Sequence, residues 1–486
     1  MLTDSSPNSS RQKVLILIYL PWIISVIVQI DPVISYFTAW AGSFFIFYWT
    51  LFSKLRYIPL DLPLSRQVMR PIVLIQLIFA GFMCTTSIFY FLDHMGYEYF
   101  SKVNMMLPFR VTEQTYFIAK CQRLSLLAHA ALVTGIILKT RQYPIIKHKL
   151  NINLDFFLIW LGTACYIAGG AASRIASIAQ FSFGLINIAI TCSGFVFVRG
   201  IVQRKRGYMI FGGIVFAINL MASTLTGYKE SIIINVIIIG FLLYPHFKKL
   251  ILFISIPTLY LLLYVLPTFA SIIRGQSWSG DKTAEEARSV AVNTIINTNT
   301  DQIQETNWDF LTQRLSEIDM FTQFVKHVPS ERDYYGFEIV ENSILAIIPR
   351  AIWPNKFITE AVSMERVYEA GVVNRNSIVS AKTRPVVDGY LSAGLIGVFI
   401  SIFLYGCITQ WLCNKAEEWF GGYELGCIVM FNAIFQSLWR GNNFEFLLNN
   451  IFYGYLAMYA IYWILRRSNT LIELDVYEDT AAQRRL

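Results

Sequence analysis

A helical, polytopic membrane protein is the fold class this sequence predicts, and three observations carry it. Hydrophobic residues fill 55% of the 486 positions and charged residues 15%, with a mean hydropathy of +0.49; a soluble globule of that composition would expose large apolar faces. The apolar residues are collected into runs long enough to cross a bilayer as helices. The cations are collected into the short connectors between those runs.

In chain order the apolar runs are 14–30, 34–52, 71–92, 115–138, 154–171, 181–198, 208–225, 231–244, 250–266, 390–413, 421–439 and 446–465, which predicts about twelve transmembrane helices. The polar start MLTDSSPNSSRQK leads into 14–30 with no small-residue cleavage pattern behind it. The first run is therefore expected to stay as a helix rather than leave as a signal peptide. With a cytoplasmic N-terminus, the connectors carrying Lys54 to Arg70, Lys139 to Lys149, Arg199 to Arg206, Lys248 with Lys249, and Arg466 with Arg467 all face the cytoplasm. Run 231–244 is short for a span, and the two lysines behind it keep it in the count. Both termini then lie in the cytoplasm, and the long polar stretch 267–388 lies outside.

The expected organisation has four parts: a bundle of about nine spans over 1–266, the outer loop over 267–388, about three spans over 389–467 and a cytoplasmic tail over 468–486. The loop has helix-like patterns at 281–296 and 308–328, so it reads as a folded helical cap rather than a linker. The apolar residues of 339–348 predict a short helix in the membrane interface, stopped by Pro349, with Trp353 at headgroup depth.

Charge and composition exclude several function classes. The net charge of +8 comes from cations that set orientation, so no nucleic-acid partner is expected. All seven cysteines lie in or beside apolar runs, which argues against a disulfide framework or a cysteine metal site. No GxGxxG, Walker A or HExxH motif is present, and no cofactor or metal is expected.

What recurs on the outer side is cationic: Lys229 in TGYKES, Arg274 in IIRGQ, Arg314 in TQRLSEID, Arg350 and Lys356 in PRAIWPNK, Arg384 in KTRPVVDGY and Arg440 in SLWRGNN. Cations at helix ends commonly snorkel to phospholipid headgroups or pair with nearby acids. Arg440 and Lys229 stand out because they adjoin long apolar runs on the side that positive-inside sorting disfavours. Arg123, with Lys120 and His129, lies inside an apolar run, where an ionisable group usually faces a cavity or a partner.

The run IPRAIWPNK, the preceding YYGFEIVENSILA, the span entry TGYKESIIINVIIIGF and the later TRPVVDGYLSAGLIGVF followed by Arg440 resemble the Wzy-type oligosaccharide repeat-unit polymerases of O-antigen and capsule synthesis. The resemblance covers about Thr224 to Trp439; upstream only the layout of spans is similar. Members often carry a GxR pattern where this chain has Gly227 and Lys229, and a proline where it has Phe357. The resemblance implies a GT-C-like bundle in the bacterial inner membrane with one large periplasmic loop. It implies undecaprenyl-pyrophosphate-linked oligosaccharides as substrates, with chain-length regulator and flippase proteins as possible partners.

In such a reaction Arg440, Arg314, Lys229, Arg350, Lys356, Arg274, Arg384 and Arg123 would meet pyrophosphate charge. One of Asp319, Glu317, Glu341, Asp388 and His327 would take the acceptor hydroxyl's proton; the sequence does not rank them. Three other readings stay open: an O-antigen ligase with the same donor, a lipid-linked oligosaccharide flippase, and a non-catalytic scaffold for polysaccharide export.

Overall fold

Long apolar runs fold as helices because a backbone removed from water must satisfy its own amides and carbonyls, and a helix does so within one segment. The computed structural model describes residues 7–98, 102–103, 111–175, 179–225, 229–261, 300–350, 352–376, 381–431 and 442–474. The helices in them are α1 (Pro7–Leu17), α2 (Leu20–Ile27), α3 (Pro32–Phe47), α4 (Pro71–Ala80), α5 (Ser87–His94), α6 (Glu113–Lys139), α7 (Leu154–Ala172), α8 (Ala179–Val202), α9 (Arg206–Leu225), α10 (Lys229–Leu243), α11 (Lys248–Tyr260), α12 (Thr300–Asp309), α13 (Ile318–His327), α14 (Glu338–Ile347), α15 (Thr359–Glu369), α16 (Pro385–Trp419), α17 (Tyr423–Met430) and α18 (Phe444–Arg467). Two short antiparallel pairings join β1 (Tyr97–Glu98) to β2 (Lys102–Val103) and β3 (His148–Leu150) to β4 (Leu471–Glu473).

Among the described residues, five helical segments are long and apolar enough to cross a membrane: Pro71–His94, Glu113–Lys139, Leu154–Ala172, Gly184–Val202 and Pro385–Trp419. The protein is thus helical and carries membrane-spanning capacity, as its composition predicts.

The structure refines several elements. Run 14–30 is divided between α1 and α2 by a turn at Ile18 and Tyr19. Asp31 then caps α3, its Oδ1 accepting from the Val33 and Ile34 amides at 2.9 and 3.0 Å; this satisfies donors that a helix start leaves open. Segment 308–328 is broken into α12, a π-turn at Phe310–Leu315 and α13. Helix α14 ends before Pro349, which cannot extend it. The pattern at 281–296 lies outside the described residues.

Helix α16 is kinked at Ala393 and Gly394, where Gly394 takes φ +59°. A side chain there would be strained by that backbone and would also lie 2.9 Å from the Tyr334 hydroxyl.

The chain divides into two units. The first comprises Met1–Phe91, Phe109–Asn151 and Ser316–Leu486. Its centre is α6, buried along most of its length, with α3, α4, α13 and α16 packed around it. Where α6 and α16 cross, a Cβ on Gly135 would lie 2.2 Å from the Phe403 carbonyl oxygen. The backbones meet directly, the packing small residues permit between membrane helices. The second unit comprises Leu92–Pro108 and Ile152–Leu315. There α7, α8 and α9 pack in sequence, and buried Asp155 at the start of α7 pairs with Arg199 and with Lys205 at 3.3 Å.

Candidate functional site

The kink in α16 exposes backbone carbonyls that a continuous helix would have used, and a loop supplies their donors. The Tyr335 and Gly336 amides donate to the Leu391 and Ser392 carbonyls at 2.9 and 3.0 Å. Tyr390, one turn before the kink, donates its hydroxyl to the Val328 carbonyl at 3.0 Å and accepts from Lys120 Nζ at 3.3 Å. The Tyr334 ring meets it edge-on at 5.9 Å. Loop 328–337 is therefore held on α16, and it carries the charged residues that follow α13.

His327 ends α13. Its Nδ1 lies 2.9 Å from Glu331 Oε2, and its Nε2 has no hydrogen-bond partner. A carboxylate on Nδ1 sets the tautomer that leaves a lone pair on Nε2, the arrangement required of a general base. The side chain is 15% exposed on a surface segment, while Nε2 itself is covered.

The same loop carries a second set of charges. Arg332 pairs with Glu369 and, at 3.4 Å, with Glu338, and its guanidinium lies 3.8 Å above the Tyr335 ring. Tyr335 donates its hydroxyl to Glu369 Oε2 at 2.7 Å. Burial pushes the Glu369 carboxyl up, but the Tyr335 hydroxyl and Arg332 outweigh it and hold the group below its ordinary range. Burial, reinforced by Glu369, pushes the Tyr335 phenol up.

A separate cluster is buried, built on the same helix α15. Arg366 of α15 donates to both oxygens of Glu445 at 2.7 and 3.0 Å and lies 3.4 Å from Asp388 Oδ1. Asp388 and Glu445 occupy the first turns of α16 and α18, where a helix N-terminus favours negative charge. The Phe444 amide donates to Asp388 Oδ2 at 2.8 Å. Burial alone would pull the Arg366 guanidinium down, but Asp388 and Glu445 raise it above its ordinary value. One cation among two carboxylates leaves a net negative charge, and Asp388 Oδ1 and Arg366 Nε make no hydrogen bond. The cluster retains capacity for a further donor or proton.

The remaining residues singled out in the sequence are placed as follows. Glu317 pairs with Arg384, whose guanidinium also lies 4.7 Å from the Phe82 ring. Asp319 is half-buried in the first turn of α13, Glu341 is exposed on α14 and Arg350 is exposed beyond it. Lys356 is buried and donates to the Ala346 and Ile348 carbonyls at 2.6 and 2.9 Å, closing the C-terminus of α14. Burial, with Arg350 nearby, pulls its ammonium down. Arg123 donates to Ser35 Oγ at 2.8 Å. Arg274 and Arg440 lie outside the described residues, as do the side chains of Lys229 and Arg314.

The geometry thus gives His327 a carboxylate partner in Glu331, sets Asp388 in the cluster of Arg366 and Glu445, and keeps Lys356 as a helix cap. Sequence reasoning missed Glu331, Arg332, Glu369, Arg366 and Glu445. Two signals were present: Glu331 stands four residues after His327, and Glu445 is a lone acid at the mouth of an apolar run. Among the described residues, Cys413, Glu417 and Cys427 bring a possible set of metal ligands within 4.8 Å of one another. Both Glu417 oxygens, however, already accept hydrogen bonds from Arg70, at 2.8 and 2.9 Å.

No curated protein and no solved structure matches the chain. Residues 20–473 match the model of the family described as Domain of unknown function (DUF8712), and the chain belongs to that family.

Proposed function

We propose that this protein is a membrane glycosyltransferase that joins polyprenyl-pyrophosphate-linked oligosaccharide repeat units into a surface polysaccharide. The reading includes about twelve spans in the bacterial inner membrane, a GT-C-like bundle, cytoplasmic termini and a periplasmic loop over 267–388. The acceptor hydroxyl oxygen attacks the donor's anomeric carbon, the bond from that carbon to the pyrophosphate oxygen breaks, and polyprenyl pyrophosphate leaves with the electron pair. His327 Nε2 takes the hydroxyl proton while Glu331 holds the ring. Arg384 and Arg350, with Arg440, meet the charge that grows on the leaving group, for which guanidinium geometry is well matched.

The observation that carries the reading is the His327–Glu331 pair with its unpartnered ring nitrogen, placed just ahead of the runs that resemble the polymerases. The test is polymerisation in vitro with purified lipid-linked repeat units. His327→Gln is expected to lower turnover by about 10²- to 10⁴-fold with donor binding retained. Arg384→Ala is expected to weaken the donor by about tenfold to a hundredfold. Normal turnover in His327→Gln removes the base. Repeat units joined to a lipid A core but never to one another would make the protein a ligase.

Topology is tested separately, with cysteines at Ser277 and Gln203 in a background lacking native cysteines. An impermeant maleimide should label only the former in intact cells, and the reverse pattern would remove the polymerase reading.

A further inference from the structure

Two helices of the first unit end side by side. Helices α16 and α18 run parallel at their C-terminal ends: Trp411 faces Tyr455 with ring centroids 5.6 Å apart, and Trp419 stacks on Tyr462 at 4.9 Å. Along α16 the exposed residues Ile396, Ile400, Leu404, Ile408 and Trp411 form a stripe that stops at Lys415. Along α18 the exposed residues Phe452, Leu456, Tyr459 and Trp463 stop at Arg466 and Arg467. Apolar, then aromatic, then cationic is the order in which a helix passes from hydrocarbon to headgroups.

At that level cations outnumber acids. Glu418, 4% exposed, is met by Lys147 at 2.6 Å, Arg141 at 3.4 Å and Lys415 at 3.5 Å, side chains that are 55%, 40% and 29% exposed. The backbone fixes the group: the Lys147 amide donates to the Glu418 carbonyl at 3.0 Å, and the Leu474 amide donates to the Lys147 carbonyl at 2.9 Å. Arg466 pairs at 3.5 Å with Glu473 on β4, the strand paired to β3 directly after Lys147. Among the described residues four cations thus face two carboxylates, and one buried carboxylate cannot neutralise the three cations around it. Their exposed donors stand where two lipid-facing stripes end, so an anion that reaches them from the bilayer brings acyl chains that those stripes can cover.

We propose that Arg141, Lys147, Lys415 and Arg466 form a binding site for the phosphodiester headgroup of an anionic phospholipid, with its chains along α16 and α18. The inference is independent of the proposed transferase activity, because it uses the other end of α16. The experiment follows the unfolding midpoint of the purified full-length protein in neutral detergent as phosphatidylglycerol, phosphatidylcholine or soluble glycerol phosphate is added.

Phosphatidylglycerol should raise the midpoint saturably, and the other two should not. The triple variant Arg141→Gln, Lys147→Gln, Lys415→Gln should bind it on the order of a hundredfold more weakly. Glu418→Gln removes the competing carboxylate and should tighten binding several-fold, a gain that a purely structural ion pair does not predict. Equal responses to the two lipids, or no gain in Glu418→Gln, overturn the proposal. A response to glycerol phosphate as large as that to phosphatidylglycerol would make this a soluble phosphate site instead.

Discussion

Buried arginines hold α16 at both of its ends, and the two are built differently. At the C-terminal end Arg70 donates to Glu417 at 2.8 and 2.9 Å, to Asp61 at 2.6 and 2.7 Å and to Gln67 at 3.0 Å. Every N–H of that guanidinium is used. At the N-terminal end Arg366 satisfies Glu445 fully, reaches Asp388 only at 3.4 Å and leaves its Nε unbonded. Both clusters set one cation among two carboxylates. The first is saturated, as a staple between segments should be; the second has spare bonding capacity. An incompletely bonded buried cluster is costly to stability, and such clusters are commoner at functional sites than in supports.

The largest effect that separates the two ends is expected at Arg70. Arg70→Ala leaves the buried Glu417 without its partner, which should cost about 3–5 kcal/mol and appear as a much lower unfolding midpoint in detergent. Asp388→Asn is the contrasting change. It removes the charge in excess at the other end, keeps an acceptor for the Phe444 amide, and should move stability by less than about 1 kcal/mol in either direction. If the proposed polymerisation draws on this cluster, the same variant impairs it. If Asp388→Asn destabilises the fold as much as Arg70→Ala does, both ends are staples and the contrast fails.

Most helices were legible from hydrophobic periodicity and run length, because a span must be apolar throughout and its connectors must not be. What was not legible is where helices bend and which loop charges meet. The kink at Ala393 and Gly394 lies in SAGLIG, a string that reads as ordinary small-residue packing until Tyr334 is seen against it. Arg366 looks solvated in TEAVSMERVYE, yet it faces inward with Ser363, Met364 and Val367 on the buried side of α15. Its partners come from residues 22 and 79 positions away, a pairing that no local pattern encodes. Asp388 and His327 were among the base candidates, and nothing in sequence ranked them; what sets them apart in the structure is an oxygen and a nitrogen that make no hydrogen bond.

The smallest effect concerns the group of Arg332, Tyr335 and Glu369, and pH reads it. Glu369 is held below its ordinary range because the Tyr335 hydroxyl and Arg332 outweigh burial. A carboxyl whose folded pKa is depressed binds fewer protons folded than unfolded at mildly acid pH, so its stabilisation is complete above the unfolded value of about 4.3. That stabilisation falls away as pH drops through the lowered folded value. Glu369→Gln should therefore flatten the acid limb of the unfolding midpoint against pH while leaving the neutral region with only a modest loss. Arg332→Gln should flatten it partly, since the Tyr335 hydroxyl still donates to the carboxylate. The Arg70 staple supplies the control: Asp61→Asn alters overall stability but leaves the Glu369 contribution to the acid limb in place. If Glu369→Gln keeps the full acid dependence of the unchanged protein, the Arg332–Tyr335–Glu369 link carries no free energy.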